Sequence, residues 1–166
     1  MTWDAVAFSR IQTFAIRIQT FAIRREQGRL ADMQPVIQRS VEEYPTRPLF
    51  RCLLAILFCE LGQWEKTRRI FEELASNRFA DLPLNNDWIH SVCLLSEVAA
   101  ALADPARAAV LYDLLRPYHW AAVDSLEASP GAVVRFLGVL STTMSRWDQA
   151  TAHFERGLEK NRKMGA

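Results

Sequence analysis

Three cysteines, three histidines and two adjacent glutamate pairs are the side chains that chemistry would call on first. His90 and Cys93 stand three residues apart, so on a helix they share a face and could reach one metal ion. A zinc site takes four ligands, or three and an open position. His119 and His153 lie far off in sequence and no Cys-x-x-Cys occurs, so the pair reads as ordinary helix residues and no metal site is expected. A nucleophilic cysteine needs a base and a group to orient it. Cys52, Cys59 and Cys93 all sit in apolar runs, where burial keeps a thiol protonated and inert. Glu42-Glu43 and Glu72-Glu73 fall on polar helix faces near helix ends. There is no glycine-rich phosphate loop. No catalytic residue and no cofactor is expected, and the chain reads as a non-enzyme that works by binding.

Composition narrows what it binds. A nucleic-acid partner calls for a surplus of lysine and arginine, and the formal net charge is only +1. The densest basic run, Arg24-Arg25 with Arg29, includes Glu26 and reads as a solvated helix end. The longest apolar stretch, Leu53 to Phe58, is far shorter than the ~20 residues of a membrane span. The start, Met1-Thr2-Trp3-Asp4, lacks the basic region and apolar segment of a signal peptide. An odd number of cysteines with no paired spacing suits a reducing cytoplasm. Half of the residues are hydrophobic, enough for a substantial core.

The elements that must position these residues are helices. Gly28-Arg29-Leu30 recurs as Gly62-Gln63-Trp64, and the same turn is expected at Asp104-Pro105 and Arg146-Trp147. Pro48 to Leu61 is a continuous apolar helix that Gly62 can end in a left-handed cap. Thr67, Ile70, Phe71 and Leu74 make an apolar stripe from Trp64 to Ala75. Asp87 is placed to cap a helix running to about Ala103, and Pro105 suits the first turn of the next. Pro35 should kink its helix or delay its start. Strand alternation is nearly absent. Two connectors interrupt the pattern: Ser76 to Asn86, rich in turn residues, and Pro117 to Pro130, within which Ala121 to Glu127 could form a short helix. The four helix pairs expected are 3–43, 47–77, 87–116 and 131–163.

Near the start, Ile11-Gln-Thr-Phe-Ala-Ile-Arg17 is repeated at once, without a difference, as Ile18 to Arg24. Seven residues are close to two helical turns, so the insertion rotates the remainder of the helix by only ~20°. Ile11, Phe14, Ile18 and Phe21 then form one seam. The duplication reads as a neutral lengthening of the helix. The alternative is a seam that pairs with another helix, including one from a second copy.

These spacings resemble the tetratricopeptide repeat, whose period of about 34 residues separates the first two turns. The large, small, small and aromatic positions of that repeat are matched by Leu137, Gly138, Ala150 and Phe154. They are matched again by Leu54, Ala55, Thr67 and Phe71, with Phe58, and by Leu95, Ser96, Ala108 and Tyr112. Arg24-Arg-Glu-Gln-Gly-Arg-Leu30, Leu94-Leu-Ser-Glu-Val-Ala99 and Arg146-Trp-Asp-Gln-Ala-Thr-Ala-His-Phe154 resemble the helical-repeat region of large bacterial signalling regulators that carry nucleotide-cyclase or DNA-binding and ATPase parts elsewhere. The resemblance covers most of residues 20–166. It implies an all-α right-handed solenoid of about four helix pairs with a regulatory, partner-sensing role, as an excerpt of a multidomain protein.

In such arrays the first helix of each pair lines a concave groove. The resemblance therefore makes Leu49, Cys52, Ile56 and Cys59, then Arg135, Val139 and Thr142, candidates for contact with a partner. The first set is free of charge, which suits a hydrophobic helix or an apolar ligand; it suits burial against a neighbouring repeat or another protomer as well, and that reading is preferred. Trp88, Trp120 and Phe79 lie in or beside the connectors, where an exposed aromatic can anchor a partner. Three functions remain in order of preference. The first is protein–protein interaction in a signalling protein. The second is sensing of a small molecule in a closed apolar pocket between the groove and the 117–130 connector. The third is a self-associating spacer. Trp64, Phe71, Trp147 and Phe154 hold repeat positions and are expected to pack in the core. Trp147, Phe154 and Leu158 also belong to the last helix, and an array end normally needs covering, so dimerisation through that end, or further repeats downstream, is expected.

Overall fold

A computed structural model describes residues 3–123 and 131–164 of the chain. These residues are almost entirely helical. The helices are α1 (Trp3–Glu26), α2 (Gln34–Glu43), α3 (Leu49–Glu60), α4 (Trp64–Ala75), α5 (Trp88–Ala101), α6 (Pro105–Leu115), α7 (Val133–Thr143) and α8 (Trp147–Met164). α3, α5 and α7 pack side by side, and each also packs against the helix after it. α2 closes on α3, and α6 also reaches α7.

The turns at the ends of α1, α3, α5 and α7 share one backbone geometry. Gly28, Gly62, Ala103 and Ser145 are all left-handed, with φ of 66, 69, 51 and 59°. In each turn the amide of the next residue donates to a carbonyl five residues back: Arg29 to Arg24, Gln63 to Phe58, Asp104 to Ala99 and Arg146 to Ser141, at 2.8 to 3.0 Å. This closure satisfies carbonyls that the helix end leaves open. Glycine meets it freely, whereas an L-residue in this region costs ~1–2 kcal/mol. Ala103→Gly and Ser145→Gly are each expected to stabilise the chain by about 0.5–1 kcal/mol, net of glycine's greater freedom when unfolded. The urea midpoint reads this out, and an unchanged midpoint in both variants would show that these turns hold no strain.

The helix starts follow their prolines. A 3-10 turn, Leu30–Met33, precedes α2, and Pro35 sits in that helix's first turn, so the proline delays the helix rather than kinking it. Asp104 Oδ1 accepts from the Arg107 amide at 3.0 Å and caps α6. Asp87 occupies the corresponding place before α5, but its side chain makes no capping bond. Its backbone is already helical, at φ −85° and ψ −11°, which turns the carboxylate away from the free amides. The Asp87 carboxylate lies 3.8 Å from Arg47 instead.

The duplicated segment is one uninterrupted helix within α1. Phe14, Ile18 and Phe21 are buried, while Ile16 and Ile23 are exposed. The Phe14 ring meets Phe50 edge-on at 5.2 Å and Tyr44 at 6.1 Å, with the Arg47 guanidinium 3.9 Å from its centre. Both copies therefore contribute a phenylalanine to the chain's own core, and Phe14, Ile18 and Phe21 of the seam are covered from within. The side chain of Ile11, its first expected member, lies outside the described residues.

The Ser76 to Asn86 connector is a loop, as expected. Within it Phe79 takes a left-handed backbone (φ 63°) and is buried, its ring 5.7 Å from Phe71. The second connector departs from expectation. Ala122–Val123 and Gly131–Ala132 form two-residue strands, β1 and β2, paired antiparallel with Ala122 opposite Ala132. An extended pair replaces the beginning of the short helix expected over Ala121 to Glu127; the rest of that span lies outside the described residues.

Candidate functional site

The positions on α3 expected to line a groove are closed. Leu49, Cys52, Ile56 and Cys59 are all buried. α1 covers one side through Phe14 against Phe50, and α5 packs along another. A helix with no charge from Cys52 to Cys59 buries on every side when apolar neighbours flank it, so the burial that the sequence offered beside an open groove is what these positions take within the chain. Trp88 is buried too, its ring 5.3 Å from Tyr118. Of the connector aromatics, Trp120 is exposed, at 69%.

On α7, Arg135 and Thr142 are exposed and Val139 is half-buried. Thr142 Oγ1 donates to the Gly138 carbonyl of its own helix at 3.0 Å. Arg135 donates to Glu97 at 2.6 Å. Glu97 also accepts from Arg25 at 2.5 Å, and Arg25 donates to Glu60 at 2.6 Å. A charged row thus fastens α1, α3, α5 and α7 together. Burial works against the Arg25 charge, but Glu97 and Glu60 outweigh it and raise its pKa. Partly exposed pairs of this kind contribute about 1 kcal/mol or less each, so the row sets register more than it adds stability.

Cys52, Cys59 and Cys93 are free and buried. Burial pushes the Cys52 thiol up to about 12 and raises Cys59 and Cys93 as well, and a thiol so held is a poor nucleophile at neutral pH. Burial also pushes the His90 imidazole down to about 4. Among the described residues no group of three or more His, Cys, Asp or Glu could hold a metal ion. No helix among them is long and apolar enough to cross a membrane.

The exposed apolar surface is most concentrated on α8. Trp147, Phe154 and Leu158 are 62%, 37% and 58% exposed and fall on one stripe of the helix. Phe154 stands as far into α8 as Phe71 stands into α4 and Tyr112 into α6. Those two rings are buried. Phe154 is seated on α7 over Gly138, where an added Cβ would lie 2.6 Å from the ring. Asp148 and Glu155 are exposed beside the stripe. The repeat positions of Trp64, Phe71, Trp147 and Phe154 predict core packing. Phe71 follows it, whereas Trp64, Trp147 and Phe154 are 51%, 62% and 37% exposed, and only the need to cover an array end pointed to this surface. Sequence reasoning missed the exposure of Ile16, Ile23 and Leu84, which no repeat position singles out.

The chain matches no family model, no curated protein and no solved structure. Its own geometry places it as an almost entirely helical protein whose α8 carries an exposed apolar face among the described residues.

Proposed function

We propose that this chain is a non-catalytic, tetratricopeptide-like module that binds a partner protein in the cytoplasm, receiving an amphipathic helix on the open face of α8. The observation that carries this reading is Phe154: its counterparts Phe71 and Tyr112 are buried, and it is not. Three further features support a right-handed solenoid of four pairs. The four turns are alike, α3, α5 and α7 lie side by side, and Leu54-Ala55, Leu95-Ser96 and Leu137-Gly138 are all buried. The resemblance to repeat regions of bacterial signalling regulators makes the role regulatory. Free, buried cysteines suit a reducing compartment.

The stripe also describes its occupant. Trp147, Phe154 and Leu158 call for aliphatic side chains at helical spacing. Asp148 and Glu155 beside them call for lysine or arginine on the flank of that helix. A fluorescein-labelled amphipathic helix of leucine and lysine is the probe. Its anisotropy should rise on adding the full chain, and Phe154→Glu with Leu158→Glu should weaken binding about tenfold or more. Light scattering coupled to size exclusion, run across protein concentrations, accompanies it. Probe binding unaffected by the variants would sink this reading. A concentration-dependent dimer that the variants dissociate would replace the partner helix by a second copy of the chain.

A further inference from the structure

On the opposite side of α8 lies a cavity of about 350 Å³, between α6, α7, α8 and the 3-10 turn Arg116–Tyr118 at the end of α6. Its volume is within the range of clefts that hold small ligands. It is not the closed apolar pocket expected beside the groove. Tyr112, Leu137 and His153 are its buried lining, and Arg116, His119 and Arg156 its exposed lining. The lining contains two guanidiniums and two imidazoles and no carboxylate. Neither Arg116 nor Arg156 is ion-paired among the described residues, unlike Arg25, Arg107 and Arg135.

The floor is polar where the fold alone would have hydrocarbon. His153 occupies in α8 the place that Ile70 holds in α4 and Leu111 in α6. Tyr112 occupies the place of Phe71 and Phe154. The Tyr112 hydroxyl lies 3.0 Å from His153 Nε2. His153 Nδ1 is buried with no hydrogen-bond partner. Burial, then Arg156 and His119, lower the His153 pKa, so the ring is neutral near pH 7. When Tyr112 donates to Nε2, the one ring proton sits on Nδ1 as an unmet donor. A buried, half-satisfied polar pair costs stability that Leu and Phe at these two positions would not, and packing gives no reason for it.

We infer that this cleft binds a small aryl anion, with its ring over Leu137 and the Tyr112–His153 pair and its anionic head held by Arg116 and Arg156. Arginine matches the paired oxygens of carboxylate and phosphate alike. The site stands apart from the partner face: residues 154 and 156 point about 200° apart around the helix. Either function can therefore fail without the other.

The test is titration of the full chain with phenyl phosphate and with benzoate, monitored by isothermal calorimetry and by the amide spectrum. Saturable binding of either is expected, with shifts around Tyr112 and His153, and the tighter of the two identifies the head group. Inorganic phosphate and neutral phenol should each bind about tenfold or more weakly than the better aryl anion. Arg116→Gln with Arg156→Gln, both at exposed positions, should weaken binding to a similar degree while the far-ultraviolet spectrum is unchanged. His153→Leu restores the residue type of the other helices; it should keep or raise the unfolding midpoint and lose affinity. No saturable binding up to about 10 mM would overturn the inference. So would affinity unchanged by the arginine substitutions, inorganic phosphate binding as tightly as phenyl phosphate, or a fall in midpoint with unaltered affinity in His153→Leu.

Discussion

Deletion of Ile18 to Arg24 is expected to cost about 3 kcal/mol of stability, as a buried Phe→Ala change does. Removing two helical turns leaves the rest of α1 in phase, less about 20°. Every residue up to Arg17 then moves forward by seven places. Ile11 and Phe14 take over from Ile18 and Phe21, and their fit is unchanged. Arg10 arrives where Arg17 now donates to Ser40 at 2.9 Å and to Glu43 at 2.5 Å, so those bonds can re-form. Ala7 arrives where Phe14 now lies. It cannot replace the edge-on contacts with Phe50 and Tyr44, or the Arg47 guanidinium over the ring. Phe14→Ala in the full chain should therefore match the deletion within about 0.5 kcal/mol. Urea unfolding of the three proteins decides it. An unchanged midpoint in the deletion would make the duplication a neutral lengthening. A change in solution mass at constant midpoint would make it a contact between chains.

The repeated turns were legible because their chemistry is local. Gly28 and Gly62 announce a left-handed cap, and Pro105 a helix start. The other two turns carry Ala103 and Ser145 in the same conformation, which no residue type predicts; only their spacing and the aspartate and arginine after them point there. The burial of α3 was half-legible. Its run without charge was visible, but periodicity cannot say whether an all-apolar face meets a ligand or another helix. That depended on α1, whose seam passes over Phe50. The face of α8 was half-legible: the repeat positions of Trp147 and Phe154 point to the core, and only the need of an array to have its end covered pointed to an open face. The cleft was not. Its signal is a histidine in a column otherwise of Ile70 and Leu111, readable only once α4, α6 and α8 are aligned by their starts. The β1–β2 pair had no signal, since two residues are too few to show alternation.

Acid should destabilise the chain well above the range in which carboxylates titrate, and His90 is the reason. Burial holds its imidazole at about 4, with Glu97 pulling up and Arg25 pushing down more weakly. In the unfolded chain the same group titrates near its ordinary value of about 6.5. Between these values the unfolded state binds a proton that the folded state does not, so stability falls as pH falls. The contribution is complete above about pH 6.5 and is lost toward pH 4, amounting to about 3 kcal/mol. His153, also lowered, acts with the same sign. Glu43, held down by Arg17 and Arg39, and Asp104, held down against its burial by Arg107, weaken the fold only as pH drops through the carboxylate range. His90→Leu separates the two effects, because leucine is accepted among buried neighbours such as Leu94 and takes up no proton. Its unfolding free energy should decline less steeply than the parent's from pH 6.5 to 5, the remaining slope there coming from His153, and should fall alongside the parent's at lower pH. Parallel profiles across the whole range would show that His90 takes up its proton in the fold as readily as in the unfolded chain, and would overturn the account of its burial.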